Sequence, residues 1–209
     1  MAAEMANKPD KADHYYVETP NSPARFGLLR TYLRGKLFEF ITASSVFSVK
    51  RIDPGTRVLI ESMVLPETGC VLDIGCGYGA VGIVAAKLNS KVHVFLTDVN
   101  RRAILLARQN AEKNHVHNVE VRQGNLYSPV QSLCFNCIMS NPPVSAGMET
   151  VSEIVRCAPA FLASRGTLQM VVRSKIGKKK LPVVFAEAFG NVKVLAIESG
   201  YRVLMAEKQ

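Results

Sequence analysis

The sequence predicts an α/β protein: a doubly wound, mostly parallel sheet of seven strands that ends in a C-terminal antiparallel hairpin, with a β extension at the N-terminal side. Three observations predict it. From residue 69 onward, short apolar β-type runs alternate with helical patterns, an order that puts parallel strands in one layer and helices on both faces. The first strand-to-helix junction of that series is the glycine-rich Gly75-Cys76-Gly77-Tyr78-Gly79, the kind of turn that leads a parallel strand into a helix at a ligand site. The last two runs are separated only by Ser199-Gly200, too short for a crossover, so that pair must be antiparallel.

Taken in order, residues 1–13 are polar, rich in Ala, Lys and Asp, and read as a disordered tail. Residues 14–55 read as the β extension, with strands over 14–19 and 36–43, where β-type residues partly alternate, separated by a Pro-containing link. Pro54-Gly55 marks a turn, and residues 56–64 continue as a helix that opens the main domain, 56–209. Strands are expected over 69–73, 91–97, 118–122, 134–140, 167–173, 191–197 and 201–206. Helices are expected over 79–89, 100–113, 149–163 and 178–189. Asn100 suits the N-cap of the second, ahead of Ala103, Ile104, Ala107 and Ala111 on its buried face. No internal repeat and no second domain are visible.

The stretch Cys70-Val71-Leu72-Asp73-Ile74-Gly75-Cys76-Gly77-Tyr78-Gly79 is an apolar strand that carries an acid near its end and runs into a glycine turn. Glycines at alternate positions let a ligand approach where a Cβ would stand. The spacing alone also satisfies a dinucleotide fingerprint, with Gly77, Gly79 and Gly82 as its glycines and Asp98 as its ribose acid. Asp73 weighs against a pyrophosphate, which it would repel, and in favour of a cationic ligand such as S-adenosylmethionine, with its ammonium and sulfonium. A second loop, Ile138-Met139-Ser140-Asn141-Pro142-Pro143, closes another apolar strand. Two consecutive prolines fix φ and remove backbone donors, so the loop is stiff and can aim the Asn141 oxygen and the Pro142 carbonyl at one exterior amine. Alone, Asn-Pro is an ordinary strand-ending turn.

Together, Asp73-x-Gly-x-Gly-x-Gly79 and Asn141-Pro142-Pro143 resemble the class I S-adenosylmethionine-dependent methyltransferases that modify exocyclic or amide nitrogens. Ser45-Val46-Phe47-Ser48, the following Ile52-Asp53-Pro54-Gly55-Thr56 and the late Glu198-Ser199-Gly200-Tyr201-Arg202-Val203 resemble the "methyltransferase small" domain of the small-subunit ribosomal RNA guanine-N2 enzymes. The resemblance spans roughly residues 14 to 207. It implies a Rossmann-like sheet and S-adenosyl-L-methionine as cofactor, bound by Asp73, Gly75, Cys76, Gly77, Tyr78, Gly79, Asp98, Val99, Asn100, Asn125, Leu126 and Asn141. Asp98 suits two ribose hydroxyls because a carboxylate is acceptor-only with two oxygens. Many relatives have an acid where Asn125 stands. Asn141, Pro142 and Pro143 are the catalytic candidates. An aromatic residue commonly follows the prolines in such enzymes, and here it is Val144. Phe47 is the candidate for stacking on the target base or closing the cofactor pocket, with Val144 beside it.

The chain has 209 residues and 48% hydrophobic residues, enough for one domain with a substantial core. No apolar run approaches the roughly 20 residues needed to span a bilayer, and no secretory signal is visible near Met1. Five cysteines, an odd number, suggest a reducing compartment and hence the cytoplasm. Cys134-x-x-Cys137 lacks a second pair or a histidine cluster, so no metal is expected. Twenty-six Lys and Arg against seventeen Asp and Glu give a net charge of +9. Part of that excess is concentrated in Arg173, Lys175, Lys178, Lys179 and Lys180, and part in Arg25, Arg30, Arg34, Lys36, Lys50 and Arg51. Both groups are expected to flank the active edge of the sheet, which favours RNA, with ribosomal RNA or a small-subunit particle as partner.

Other functions remain open on sequence alone. Asn-Pro-Pro also suits a glutamine amide on a translation factor, although the basic clusters and the missing aromatic weigh against it. A DNA adenine enzyme usually carries a target-recognition insertion, for which 209 residues leave little room. A non-catalytic cofactor-binding or RNA-binding subunit would not need Asn141-Pro142-Pro143. A nicotinamide oxidoreductase remains compatible with the glycine spacing.

Overall fold

The computed structural model describes residues 18–20, 22–48, 50–142, 147–178 and 180–209. The tail expected over 1–13 and most of the strand expected over 14–19 lie outside them. The first described elements are strands β1 (Phe26–Leu33) and β2 (Lys36–Ala43), paired antiparallel with Leu33 opposite Lys36. The partner of the expected strand over 36–43 is therefore Phe26–Leu33, within the stretch expected as a link. The turn is Arg34-Gly35, both at positive φ (50° and 75°). Two-residue hairpin turns need positive φ at both central positions and usually announce themselves as Asn-Gly or Asp-Gly. Arginine in the first place hides the signal.

Helix α1 (Pro54–Ser62) starts two residues before the expected position. Asp53 is its N-cap, accepting from the Thr56 N–H at 2.9 Å, and Pro54 sits at N1, where no donor is needed. The alternating series follows: β3 (Gly69–Ile74), α2 (Ala80–Leu88), β4 (Val92–Asp98), α3 (Arg101–Lys113), β5 (Val119–Gln123), β6 (Phe135–Ser140), α4 (Met148–Phe161), β7 (Leu162–Arg173), a short helix α5 (Ser174–Gly177), α6 (Lys180–Phe189), β8 (Lys193–Glu198) and β9 (Tyr201–Glu207). A single 3-10 turn at Ser128–Val130 lies between β5 and β6. The sheet order is β5-β4-β3-β6-β7-β9-β8; β9 inserts antiparallel between β7 and β8, and the other pairs are parallel.

Strand β7 begins at Leu162, five residues before the expected 167, with no loop after α4. A register shift against β6 between Phe135 and Cys137 absorbs the extra length. Gly166 lies in that shifted stretch, where a Cβ would come within 2.9 Å of the Phe135 and Ala163 carbonyl oxygens, so only glycine lets the strands approach.

Two hydrophobic clusters, one on each face, cement the layers. One joins α1, α2, α3 and the hairpin through residues such as Phe38, Phe40, Leu59, Ile83 and Leu106. The other joins α4 and α6 through Ile154, Val155, Phe185 and Leu162. The hairpin is attached to this scaffold by hydrogen bonds as well as by Phe38 and Phe40. Asn110 on α3 and Asn114, its C-cap one turn on, pair with the backbone of Ile41 and Glu39: Asn110 Oδ1 accepts from Ile41 N at 2.6 Å, and Asn114 Oδ1 accepts from Glu39 N at 3.1 Å. The same side chains donate through Nδ2 to the Ile41 and Glu39 carbonyls. Two helical amides thus satisfy an edge strand that would otherwise expose its donors and acceptors. Asn110 also donates to Tyr78 O in the glycine turn, at 2.9 Å, linking hairpin and site.

One expectation about charge is corrected here. Arg34 Nη1 donates to the Ile60, Glu61 and Met63 carbonyls at the C-terminus of α1, and Lys36 Nζ donates to Lys87 O near the end of α2. Both side chains stand at helix C-termini, on the opposite edge of the sheet from the strand ends expected to bind ligand, and Arg30 pairs with Glu39. Cations complete the free carbonyls there, so Arg34 and Lys36 serve the fold, while Arg30 forms an exposed ion pair within the hairpin.

Candidate functional site

The carboxyl ends of β3, β4, β5 and β6 converge on a cavity of about 260 Å³. Asp73, the penultimate residue of β3, forms its floor and is only 1% exposed. Its Oδ2 accepts from Gly82 N at 2.8 Å across the first turn of α2. Burial pushes its carboxyl up to about 7, with the nearby Asp98 charge adding to the rise and the Gly82 bond opposing it. A cation would favour the charged form of a carboxyl held this way, and among the described residues no Lys or Arg lines the cavity.

The glycine turn is tied to the neighbouring strand. Gly75 N and Cys76 N both donate to Thr97 O, at 2.8 and 2.9 Å. Gly79, the N-cap of α2, has φ of 93°, and a Cβ there would come within 2.8 Å of Ile83 Cδ1 and 3.1 Å of Leu96 Cδ2. Any other residue would be strained in backbone and crowded in side chain. Tyr78 packs on Phe40 of the hairpin, ring centroids 5.6 Å apart, and burial raises its hydroxyl well above the ordinary range. Burial, and then the Asp98 and Asp73 charges, likewise raise the Cys76 thiol.

Asp98 ends β4. Its Oδ2 accepts from Gly77 N and its Oδ1 from Asn100 N, both at 2.8 Å, while desolvation pushes its carboxyl up. The Val99 amide also bonds this carboxylate, and a carboxylate's remaining acceptor capacity is open to a hydroxyl. Val99 adjoins it in the lining; beyond β5, Gly124, Asn125 and Leu126 form the next stretch of wall. From β6, Ser140 Oγ donates to Ile74 O at 2.9 Å, clamping the two strand ends together. Asn141 and Pro142 follow in the cavity wall. The Asn141 amide donates to Asp53 Oδ2 at 3.0 Å and to Thr56 Oγ1 at 2.8 Å. Phe47, 36% exposed, closes part of the mouth with Val46.

The cavity thus gathers Asp73, Gly75, Cys76, Gly77, Tyr78, Asp98, Val99, Asn125, Leu126, Asn141, Pro142 and Phe47. Gly79 stands behind the turn as its cap. Asn100 does not line the cavity: it is fully buried, its Oδ1 accepts from Arg102 N and Ala103 N, and its Nδ2 donates to Ser45 O at 2.9 Å. Its side chain caps α3 and seats the Ser45–Phe47 segment. Arg173, Lys175, Lys178 and Lys180 are exposed beyond the end of β7, outside the cavity but on the strand next to β6. Pro143, Val144 and Lys179 lie outside the described residues.

Several lining residues were absent from the sequence-based set: Val46, Thr56, Thr97, Gly124, Thr150 and Ile154. Thr97 Oγ1 is buried with no hydrogen-bond partner among the described residues. Its place immediately before Asp98 was the available signal. Thr56 follows the Asp53-Pro54-Gly55 turn, whose sequence signals a helix start rather than a site.

The site fits the group that the glycine turn suggested. A buried and a half-buried carboxylate, a buried hydroxyl with an unused bond, and apolar walls from Val99 and Leu126 suit a ligand that combines cationic, hydroxyl-bearing and flat apolar parts. Among the described residues no cluster of His, Cys, Asp or Glu could hold a metal, and no helix is long and apolar enough to cross a membrane.

Comparison with known proteins agrees with this geometry. The sequence matches the family model "Methyltransferase small domain" over residues 37–205. It is 37% identical over 199 residues to the uncharacterised protein YbxB of Bacillus subtilis, covering 94% of this chain and 99% of that one. It is 32% identical over 169 residues to ribosomal RNA small subunit methyltransferase C of Hamiltonella defensa, covering 79% of this chain. The chain spans about half the length of relatives carrying that name, 49% in this case. Among solved structures, a T. thermophilus 16S rRNA N2 methyltransferase (RsmC) in complex with AdoMet and guanosine superposes with a TM-score of 0.80 at 24% identity, over 90% of this chain and 52% of that one. A ribosomal protein L11 methylase from Lactobacillus delbrueckii superposes with a TM-score of 0.62 at 21% identity, over 78% of this chain and 86% of that one. At those identities the likeness concerns the fold, which is common to enzymes with RNA and protein substrates. The family match covers most of the chain and includes every cavity-lining residue named above. This chain belongs to the methyltransferase small domain family.

Proposed function

We propose that the protein transfers a methyl group from S-adenosyl-L-methionine to the exocyclic N2 amine of a guanine in RNA, with ribosomal RNA or a small-subunit particle as substrate. The observation that carries the proposal is the meeting, in one cavity, of the buried Asp73 carboxylate and the half-buried Asp98 carboxylate with an asparagine at the end of the strand next to β3. S-adenosyl-L-methionine supplies a methyl on a sulfonium, which leaves as a neutral thioether. Asp73 faces the cationic end of that ligand, Asp98 accepts from its ribose hydroxyls, and Val99, Asn125 and Leu126 hold its base.

Asn141 then governs the nucleophile. The lone pair of an exocyclic amine is delocalised into the ring. Acceptors that hold its N–H bonds favour the pyramidal nitrogen and point the lone pair at the methyl. Asn141 Oδ1 and the Pro142 carbonyl are the acceptors at hand. Alignment dominates such a displacement, and well-oriented reactants recover about 7–11 kcal/mol of barrier. Phe47 at the mouth offers an aromatic face to a base, which must be unpaired or extruded to enter. RNA is favoured over a protein amide by the exposed Arg173, Lys175, Lys178 and Lys180 beside the β6 end, and by the ribosomal RNA enzymes among the relatives.

The test is methylation of unmodified, transcribed 16S ribosomal RNA with methyl-labelled cofactor, followed by nucleoside mass spectrometry. The expected product is N2-methylguanosine. Label in N6-methyladenosine, or label only in protein when a ribosomal extract is supplied, overturns the base or the substrate class respectively.

A further inference from the structure

The site holds a contact that methyl transfer as described above does not require. Both hydrogens of the Asn141 amide are taken: one by Asp53 Oδ2 at 3.0 Å, the other by Thr56 Oγ1 at 2.8 Å. Asp53 and Asn141 are 88 positions apart, so the pairing is a product of the fold and not of local sequence.

We propose that Asp53 and Thr56 are positioning residues that lock the Asn141 carboxamide with its oxygen toward the target, making it an acceptor only. This rests on the amine-methylating function proposed above. A carboxamide has two nearly isosteric orientations, and a strand-end asparagine could present either its oxygen or its nitrogen. A carboxylate removes that freedom, because it accepts and never donates at neutral pH. Turned over, Asn141 would press Oδ1 against Asp53 Oδ2 and forfeit a charge-assisted bond. Donation to a charged acceptor also polarises the amide, and chained hydrogen bonds strengthen one another. The Asn141 oxygen is then a better acceptor as positive charge develops on the amine nitrogen. Selection follows as well: a locked oxygen accepts an N–H and rejects a carbonyl. On guanine it distinguishes the N2 edge from O6.

The lock has its own support. The same Asp53 Oδ2 accepts from Thr56 N at 2.9 Å as the N-cap of α1, which fixes both partners relative to the helix. Thr56 is 6% exposed, so its hydroxyl has few alternatives. At Gly55 a Cβ would lie 2.7 Å from the Tyr201 ring and 3.0 Å from Asp53 Oδ2. The ring of Tyr201, the first residue of β9, therefore presses on bare backbone beneath the pair. Arg173 lies over the same ring, with Cζ 5.8 Å from the centroid.

The test uses Asp53→Asn, Thr56→Val and Asn141→Ala, singly and combined, with transcribed 16S ribosomal RNA and labelled cofactor in single-turnover assays. Asparagine caps helices as well as aspartate does, so Asp53→Asn keeps α1 and an unchanged Tm. It removes the charge that fixes the amide. Asp53→Asn is expected to slow methyl transfer about tenfold, the difference between a charged and a neutral hydrogen bond, with cofactor Kd unchanged by calorimetry. In the free protein, the Asn141 side-chain NH₂ proton resonances, identified by their loss in Asn141→Ala, should move upfield in Asp53→Asn. In the Asn141→Ala background the Asp53 and Thr56 substitutions should add nothing. A wild-type rate in Asp53→Asn with slow Asn141→Ala overturns the lock and leaves the amine-holding function standing. So does an equal further loss in both backgrounds, which would mark Asp53 as merely structural. A wild-type rate in Asn141→Ala overturns the amine-holding function itself, and the lock with it.

Discussion

The glycine-turn wall of the cavity and the Asn141 wall differ in how their parts reach one another. The first is assembled from neighbouring chain: Asp73, the turn at 75–79, Gly82 and the Thr97-Asp98 end of the adjacent strand, joined by backbone amides to Thr97 O and Asp98 Oδ2. Its chemistry is electrostatic, two carboxylates pushed up by burial and waiting for positive charge. The second is assembled from three distant segments, with Asp53 and Thr56 before the main sheet, Asn141 at its centre and Tyr201 near the end. Its chemistry is orientation. Under the proposed function, the difference teaches that binding and reaction rest on separate supports: one wall would set affinity for a cationic ligand, and the other the geometry of the nucleophile.

If so, substitutions should divide cleanly. The largest effect should come from the orientation wall. Asn141→Ala should cut the single-turnover methyl-transfer rate by about two to three orders of magnitude, as for other preorganised transition-state contacts, with cofactor and RNA Kd nearly unchanged. Equal losses in rate and in cofactor affinity would merge the two walls into one.

The next effect belongs to the other wall. Asp98→Ala removes a carboxylate expected to accept from two ribose hydroxyls, and charge-assisted bonds contribute about 1.5–3 kcal/mol each. Cofactor affinity should fall by at least tenfold in calorimetry, while the rate at saturating cofactor stays within a few-fold of wild type. An unchanged Kd removes Asp98 from the ligand's contacts.

The pattern of legibility follows the same division. The electrostatic wall could be read because its residues lie close in sequence and each has a local reason: glycine where φ is positive, an acid at a strand end, a cap at Asn100. Even there, the Asn100 side chain is spent on the helix and on Ser45 O, a bond that spans 55 positions and leaves no local trace. The alternating strands and helices were legible from period and turn residues, and the order of the sheet agreed with them. The hairpin strand Phe26–Leu33 was not, since Arg34 occupies a turn position that asparagine usually signals. The start of β7 was missed because a bulge carries no pattern of its own. The Asn141 wall was half legible: Asn141-Pro142 announced itself, whereas its partners were visible only as a helix cap and a late Gly-Tyr turn. A hydrogen bond across 88 positions has no period.

A smaller effect distinguishes the walls by pH. Asp73 is pushed up to about 7 from an ordinary 3.8, so the folded protein binds a proton that the unfolded chain has released in that interval. Its contribution to stability is complete below about 3.8 and is lost as pH rises toward 7, opposite in sign to an ion-paired carboxylate. A cationic ligand beside it favours the charged form. Binding of S-adenosyl-L-methionine at pH 6 should therefore release a proton, visible as a dependence of calorimetric enthalpy on buffer ionisation, and affinity should weaken by up to about tenfold per unit below pH 7. In Asp73→Asn the proton release should vanish, and the unliganded protein should become more stable than wild type at pH 8. Proton release that survives this substitution would assign it to another group, Asp98 first.

The smallest effect lies outside both walls. Lys178 and Lys180 are exposed past the end of β7, and neither touches the cavity. If they contact phosphates, each releases about 0.9 of a counterion from a duplex and about 0.7 from a single strand. Lys178→Gln with Lys180→Gln should flatten the slope of log affinity against log salt by about 1.4–1.8, weakening RNA binding at low salt. Cofactor affinity and the single-turnover rate at saturating RNA should not move, because the charges act on the approach of the substrate and not on the amine. An unchanged slope would make these lysines an ordinary solvated face and shift the RNA footprint toward Lys50 and Arg51, exposed in the segment between Phe47 and Asp53. A slope that flattens together with a loss of rate would mean that phosphate contacts also align the base, and that orientation extends beyond the Asn141 wall.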